Sequence, residues 1–270
     1  MPENITARVQ QQQDLGQDYF LLRIAGARIA AAAKAGQFVM LGLGDPGEML
    51  IRRPFSVARL ADTAEPPAFD IVYKVVGRCT LAFSRLGEGA ELNVLGPLGR
   101  GFWRPGADAP CRPVMVAGGI GIAPFPLLVQ QLGEAAGRAE LIYGGRSAGD
   151  LPLAEWFEPR CRKVTLATED GSVGLRGRVT TPLESALEGV VEQDGTCVFA
   201  CGPHPMLKAV AEICLARKIP CQLALEETMA CGFGVCLGCV VPRRHPADAF
   251  DSFVRVCTEG PVFDAREILL

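Results

Sequence analysis

Four cysteines near the carboxyl end of the chain are spaced so that their thiolates could hold iron. Cys231, Cys236 and Cys239 follow the pattern C-x4-C-x2-C, and Cys257 supplies a fourth thiol further along. This is the plant-type spacing of [2Fe-2S] proteins, in which cysteine thiolates bind both irons. The sequence therefore predicts a centre that carries one electron at a time.

A structural zinc site is the alternative, because four thiolates also suit tetrahedral zinc. Zinc sites usually pair two short C-x2-C knuckles, whereas here a single loop is followed by the lone Cys257. The iron-sulfur interpretation is favoured, and Gly232, Gly234 and Gly238 are expected to let the backbone curl around the cluster. The other seven cysteines are scattered, and we expect most of them to be small core residues in a reducing compartment.

The first third of the chain predicts a small antiparallel barrel. Its β-rich stretches, such as residues 70–76, are separated by Gly, Pro and Asp turns. Within it lies the hexapeptide RRPFSV at residues 52–57. Arg53 could neutralise a phosphate, Phe55 could lie against a ring, and Ser56 could hydrogen-bond a heterocycle. Taken alone, such a hexapeptide is more often an ordinary strand end.

The middle third alternates apolar strands with helical segments, which is typical of an α/β nucleotide-binding domain. VMVAGGIGIAP at residues 114–124 places glycines between a strand and a helix, where backbone N-H groups can hold a pyrophosphate. LIYGGR at 141–146 and VFACGP at 198–203 are two more strands that end in glycine turns. Because ligands bind outside the carboxyl ends of such strands, the three turns are expected to line one crevice.

Composition excludes several classes of protein. The chain has 270 residues, 49% hydrophobic and 21% charged, which suits a folded protein of roughly two domains. A net charge of -3 without any basic cluster argues against nucleic-acid binding. Residues 113–133 carry no charge, yet their prolines and glycines predict strand, loop and helix rather than a membrane span. No secretory signal follows Met1, so a cytoplasmic location is expected.

These motifs, in their order along the chain, resemble those of the ferredoxin reductase family of flavoproteins. The matching stretches are RRPFSV, VYKVVGRCT, VAGGIGIAP and ACGPHPM, and residues 226–240 look like the [2Fe-2S] segment of dihydroorotate dehydrogenase type B electron-transfer subunits. The resemblance covers almost the whole chain. It implies an FAD-binding β-barrel over residues 1–105, a Rossmann-like NAD-binding α/β domain over 106–220, and a [2Fe-2S] segment over 221–270.

The resemblance also implies which residues bind the cofactors. Those expected at FAD are Arg53, Pro54, Phe55, Ser56, Val72, Tyr73, Lys74, Cys79 and Thr80. Those expected at NAD are Gly118, Gly119, Gly121, Cys201, Gly202 and Pro203. Cys79 departs from the family, whose members usually carry glycine there. No catalytic acid or base is expected, since the chemistry belongs to the cofactors.

The function implied by the resemblance is electron transfer between NADH and a partner. Hydride would pass from NADH to FAD, and single electrons would leave through the cluster. The partner would be an FMN-containing dihydroorotate dehydrogenase catalytic subunit of pyrimidine biosynthesis, in a heterotetramer with two subunits of each kind.

Three choices stay open from the sequence. A related NAD(P)H-dependent reductase could serve ferredoxin, polysulfide or a hydrogenase with the same parts, and a zinc-stapled nucleotide-binding regulatory module is the non-enzymatic alternative. Arg146 and Ser147 would suit the 2′-phosphate of NADP, whereas Asp150 would suit the free ribose hydroxyl of NAD. The resemblance favours NAD.

Overall fold

The amino-terminal part of the chain is a closed antiparallel barrel with strand order β1-β2-β5-β4-β3-β6, which confirms the predicted fold of this part. The computed structural model describes residues 2–44, 51–61, 63–103, 112–190, 195–248 and 251–270. The barrel strands are β1 (Glu3–Gly16), β2 (Tyr19–Ala25), β3 (Phe38–Leu43), β4 (Arg53–Ala61), β5 (Ala68–Lys74) and β6 (Glu91–Leu98). Two short helices, α1 (Ala27–Ala32) and α2 (Arg78–Phe83), follow β2 and β5.

Strand β3 is buried along its whole length, because it has a core on each face. Side chains alternate between the two faces of a strand. Val39 and Leu41 accordingly pack inside the barrel, whereas Phe38 and Met40 pack in a second core that also contains Cys239 and Cys257. The outer face of this barrel strand therefore supports the cysteine-bearing part of the chain.

The second domain is a seven-stranded sheet with order β10-β9-β8-β7-β11-β12-β15, parallel except for β15. Its strands are β7 (Arg112–Gly118), β8 (Glu140–Gly145), β9 (Lys163–Thr168), β10 (Leu175–Arg176), β11 (Thr196–Cys201), β12 (Cys221–Ala224) and β15 (Val262–Asp264). Its helices are α3 (Phe125–Leu132), α4 (Ala154–Phe157), α5 (Thr180–Ala186) and α6 (His204–Ala216). The α/β fold predicted from the alternating pattern is thus confirmed.

The uncharged stretch at residues 113–133 forms the predicted strand, loop and helix. It consists of β7, a 3-10 turn at Gly119–Ile122 and α3. Within the described ranges, no helix has both the length and the apolar character needed to cross a membrane.

The cysteine-bearing segment is inserted between two strands of this sheet. Between β12 and β15 it forms a small hairpin of β13 (Val240–Pro242) and β14 (Phe253–Arg255), followed by α7 (Val256–Glu259). Strand β12 pairs in parallel with β11, and β15 pairs antiparallel with β12. A domain boundary after residue 220 thus divides strands of one sheet, and the expected boundary after residue 105 lies outside the described residues.

Candidate redox sites

A cleft of about 840 Å³, the sheet cleft, lies at the carboxyl ends of β7, β8 and β11. Four of the residues expected at the dinucleotide line it, namely Gly118, Gly119, Gly202 and Pro203. Gly119 takes a left-handed conformation with φ of +53°, which favours glycine. The volume and the glycine-lined strand ends suit a dinucleotide held by backbone groups.

Gly121 and Cys201, also expected at the dinucleotide, do not line the sheet cleft. Gly121 packs directly on the carbonyl of Cys201, so that any side chain at position 121 would clash with the turn after β11. The Cys201 thiol is buried in the core, where burial raises its pKa. These two residues hold the glycine turns against each other.

A second cleft of about 740 Å³, the barrel cleft, opens beside strands β4 and β5 and contains every residue expected at FAD. These are Arg53, Pro54, Phe55, Ser56, Val72, Tyr73, Lys74, Cys79 and Thr80. The two aromatic rings, of Phe55 and Tyr73, meet edge to face with centroids 5.8 Å apart. The combination of a guanidinium, aromatic rings and ample volume suits a large cofactor with a phosphate group.

Thr80 shapes the turn that leads from β5 into α2. Its hydroxyl oxygen accepts hydrogen bonds from the backbone N-H groups of Val76 (2.9 Å) and Gly77 (3.1 Å). The same hydroxyl donates to the carbonyl oxygen of Gly77 at 3.1 Å. The turn is therefore closed by its own threonine, and the Cys79 side chain is left among the residues lining the barrel cleft.

The two clefts meet at a common wall formed by Lys74, Ile120 and Glu226. Glu226 is exposed to solvent at this wall, and partial loss of water from its carboxyl group raises the pKa of that group. Ligands that filled both clefts would approach each other at these three residues. Sequence reasoning missed Ile120 and Glu226, although both lie within motifs already singled out.

Asp150 joins the two domains rather than standing free for a ribose. Its carboxylate accepts hydrogen bonds from Lys74 Nζ (2.7 Å) and Tyr19 Oη (3.1 Å), both on the barrel, and pairs with Arg146 Nε at 3.4 Å. Burial alone would raise the pKa of Asp150, but the Lys74 and Tyr19 bonds hold it below its usual value. Asp150 therefore gives little support to a choice between NAD and NADP.

Glu169, directly after β9, is a further acidic residue of the sheet cleft, beside Asp150 and Glu226. Its neighbour Asp170 accepts hydrogen bonds from the backbone N-H and hydroxyl of Ser172 and so stabilises its own turn. Glu169 is thus an acidic side chain that could receive a ribose hydroxyl there.

The four candidate ligands approach one another in pairs. The Cys231 sulfur is bonded by the Cys236 thiol and by backbone N-H groups of the loop, while Cys257 lies beside Cys239. The backbone N-H of Cys257 donates to Cys239 Sγ at 3.4 Å. Across the described ranges, no set of three or more His, Cys, Asp or Glu side chains surrounds one ion position.

The cysteine loop, residues 231–239, is shaped by two of its glycines and by one leucine. Gly232 and Gly234 have φ values of +80° and +89°, as expected from their lack of a side chain. Gly238 does not, and the left-handed residue beside it is Leu237, with φ of +58°. A Cβ on Gly232 would lie 2.5 Å from Met40 Cγ, so the loop sits directly on β3 of the barrel.

The barrel cleft and the cysteine loop are adjacent. Met229 lines the barrel cleft and Cys231 follows two residues later, a span of at most about 7 Å. Pro261, which follows Cys257 by four residues, lines the same cleft. One segment therefore forms a wall of the barrel cleft and carries the thiols, a role for residues 225–229 that sequence reasoning missed.

The antiparallel barrel, the nucleotide-type sheet and the shared wall between their clefts define an oxidoreductase with a ferredoxin-reductase-like fold. The oxidoreductase NAD-binding domain matches residues 115–212, and the iron-sulfur cluster binding domain of dihydroorotate dehydrogenase B matches residues 226–269. This chain belongs to the family of dihydroorotate dehydrogenase B electron transfer subunits, as its curated relatives show. The subunit from Listeria monocytogenes is 36% identical over 97% of this chain and 98% of its own length.

Solved structures agree with this assignment at the level of fold. A structure described as an NADH-dependent reduced ferredoxin-NADP oxidoreductase has a TM-score of 0.81 and 26% identity, and covers 100% of this chain and 91% of its own. A ferredoxin NADP+ reductase from Neisseria gonorrhoeae, with bound FAD and NADP, has a TM-score of 0.64 and 21% identity over 79% of this chain and 91% of its own. The predicted family and fold are confirmed.

Proposed function

We propose that this chain passes electrons between NAD(H) and an FMN-containing dihydroorotate dehydrogenase catalytic subunit of pyrimidine biosynthesis, using FAD and a [2Fe-2S] cluster. The observation that carries the proposal is the order of the sites. The sheet cleft shares a wall with the barrel cleft, and one segment joins the barrel cleft to the cysteines. FAD supplies the chemistry that converts a hydride from NADH into single electrons.

Each part of the chain has a positioning task in this proposal. The glycine turns of the sheet cleft hold the dinucleotide through backbone N-H groups. Arg53 neutralises a phosphate of FAD, while Phe55 and Tyr73 give the barrel cleft aromatic walls. The Lys74–Asp150 ion pair fixes the barrel relative to the sheet, so that the two ligands meet at Glu226.

A [2Fe-2S] cluster suits these four thiols, and the C-x4-C-x2-C spacing favours it over zinc. Four thiolates on two irons give two ligands to each iron, and the cysteines pair as Cys231 with Cys236 and Cys239 with Cys257. Backbone N-H groups directed at Cys231 favour its thiolate, and the pKa of this thiol is lowered to about 6. Burial raises the pKa of Cys257 to about 12, and a bound cation would favour its thiolate.

The partner is expected to dock over the cysteine loop. Three apolar side chains of the cysteine loop are exposed and alternate with Gly234 and Cys236. They are Phe233 (54% exposed), Val235 (74%) and Leu237 (60%). Phe253 on the neighbouring hairpin is exposed as well. An exposed apolar surface beside the outermost redox site is typical of a protein–protein interface. A partner docked on this surface would hold its flavin close to the cluster. We propose the heterotetramer of two subunits of each kind.

Leu237→Asp is expected to weaken the complex at least about tenfold while leaving the subunit folded, because a carboxylate would lose water in an apolar interface. Aspartate also tolerates the left-handed conformation of this position. The measurement is co-purification with the FMN-containing catalytic subunit, together with NAD-dependent orotate formation. Leu175→Asp, a similarly exposed leucine on β10 at the sheet edge, is the matched control. Equal retention of the partner by both variants would place the interface elsewhere.

Arg53→Ala is expected to release FAD while the sheet domain stays folded, since a charge-assisted contact is lost without opening a core cavity. Among the described residues, the Arg53 guanidinium donates to the backbone carbonyls of Ile51 (2.8 Å) and Arg52 (3.4 Å), which directly precede β4. Bound flavin is measured by absorption after purification. Arg52→Ala is the control, because Arg52 bonds Asn4 Oδ1 and does not line the barrel cleft. If the Arg53 variant retained stoichiometric FAD, Arg53 would not be an important anchor for the cofactor.

The second candidate function is a reductase subunit that serves ferredoxin, polysulfide or a hydrogenase. The likeness to the reduced ferredoxin-NADP oxidoreductase structure favours it, since that protein covers this whole chain. Co-expression with the FMN-containing catalytic subunit decides between the two. A stable complex that forms orotate with NAD supports the main proposal, whereas a subunit that reduces ferredoxin and binds no FMN protein supports the alternative.

A further inference from the structure

The side chain of Thr258, next to the ligand Cys257, contains a buried donor without a partner. Its hydroxyl oxygen is fully enclosed and, within the part of the chain that the structure describes, forms no hydrogen bond. A buried hydroxyl left unpaired is energetically costly, so such groups normally have a partner. The position of Thr258 therefore indicates that the acceptor of its hydroxyl group is not part of the polypeptide.

The position of this hydroxyl is inside the fold of the cysteine loop. A Cβ built on Gly234 would lie 2.9 Å from Thr258 Cγ2 and 3.6 Å from its Oγ1. The backbone N-H of Gly234 donates to the Cys257 sulfur. Thr258 thus packs against a residue that already directs a donor at a candidate ligand.

We propose that the Thr258 hydroxyl donates a hydrogen bond to a sulfur of the iron-sulfur cluster and raises its reduction potential. The inference rests on the cluster of the proposed function. Reduction would add one electron to the cluster without making or breaking a bond. The sulfurs would then carry more negative charge. An O-H donor stabilises the more negative form more strongly, and hydrogen bonds to the sulfurs are among the factors that set such potentials.

The test is the midpoint potential of the cluster in the purified holoprotein, titrated with dithionite and followed by electron paramagnetic resonance. Thr258→Val removes the hydroxyl and keeps the shape of the side chain. We expect the equilibrium constant for reduction to fall about tenfold, which is a midpoint about 59 mV lower for a one-electron couple. Thr258→Ser keeps the donor and is expected to stay near the wild-type value.

Thr196→Val is the matched control. Thr196 also has a buried hydroxyl without a partner among the described residues, but it lies at the amino end of β11, away from the cysteine loop. Its loss is expected to leave the midpoint unchanged, so a shift confined to Thr258→Val reports the local bond. An equal shift in both valine variants would overturn the assignment.

The remaining outcomes also decide the question. An unchanged midpoint in a Thr258→Val protein with full iron content would show that the hydroxyl does not bond the cluster. Loss of the cluster in Thr258→Val but not in Thr258→Ser would support the bond, whereas loss in both would show that packing alone matters and overturn it. Absence of iron from the wild-type protein would instead refute the proposed function, which the iron assay detects separately.

Discussion

Replacement of Cys231, Cys236, Cys239 or Cys257 by serine is expected to abolish the cluster or sharply destabilise it. Each iron of a binuclear cluster needs its full set of thiolates, and the structure brings these thiols together in two pairs. The measurement is iron and acid-labile sulfide per chain, supported by visible absorption. We expect near-stoichiometric iron in the wild type and little in any of the four variants.

Cys161→Ser is the control for this experiment. Cys161 is half-buried against the core of the sheet domain, where burial raises the pKa of its thiol to about 11. Its loss is expected to leave the iron content unchanged. Equal iron loss in the Cys161 variant, or full iron in the Cys257 variant, would contradict the ligand assignment, and zinc in place of iron and sulfide would favour the regulatory module.

A cluster-free variant is expected to separate the two halves of the electron path. Cys236→Ser leaves both clefts intact, because Cys236 is exposed and lines neither of them. NADH should then reduce the bound flavin at a normal rate in stopped-flow measurements, and an artificial dye should still be reduced. NAD-dependent orotate formation with the partner present should fall to background.

Orotate formation at the wild-type rate by a cluster-free preparation would show that the cluster is not an obligatory relay. Loss of flavin reduction in the same variant would show a different fault, namely that the cysteine loop supports the barrel cleft. The structure gives this second outcome a physical basis, because Met229 lines the barrel cleft and Gly232 packs on Met40. The FAD content of the variant, measured first, distinguishes the two results.

The sequence by itself determined the chemistry and the kinds of element that carry it. The spacing of the cysteines, the glycine turns after apolar strands and the RRPFSV strand are local patterns, and local patterns depend on backbone geometry within a few residues. For this reason the charge-free stretch forms strand, loop and helix. The nine residues that the family resemblance places at FAD all line one cleft.

Only the tertiary structure decided how these parts meet. Asp150 lies far from Lys74 in sequence, and no local pattern reveals that the two form an ion pair across the domains. Nor does a pattern reveal that β12 and β15 extend the nucleotide-binding sheet on either side of the cysteine segment. Such contacts form only when distant segments pack together, because burial and charge pairing stabilise the complete fold and not any single segment. The wall that the two clefts share at Glu226 and the packing of the cysteine loop on Met40 are results of that packing of distant segments.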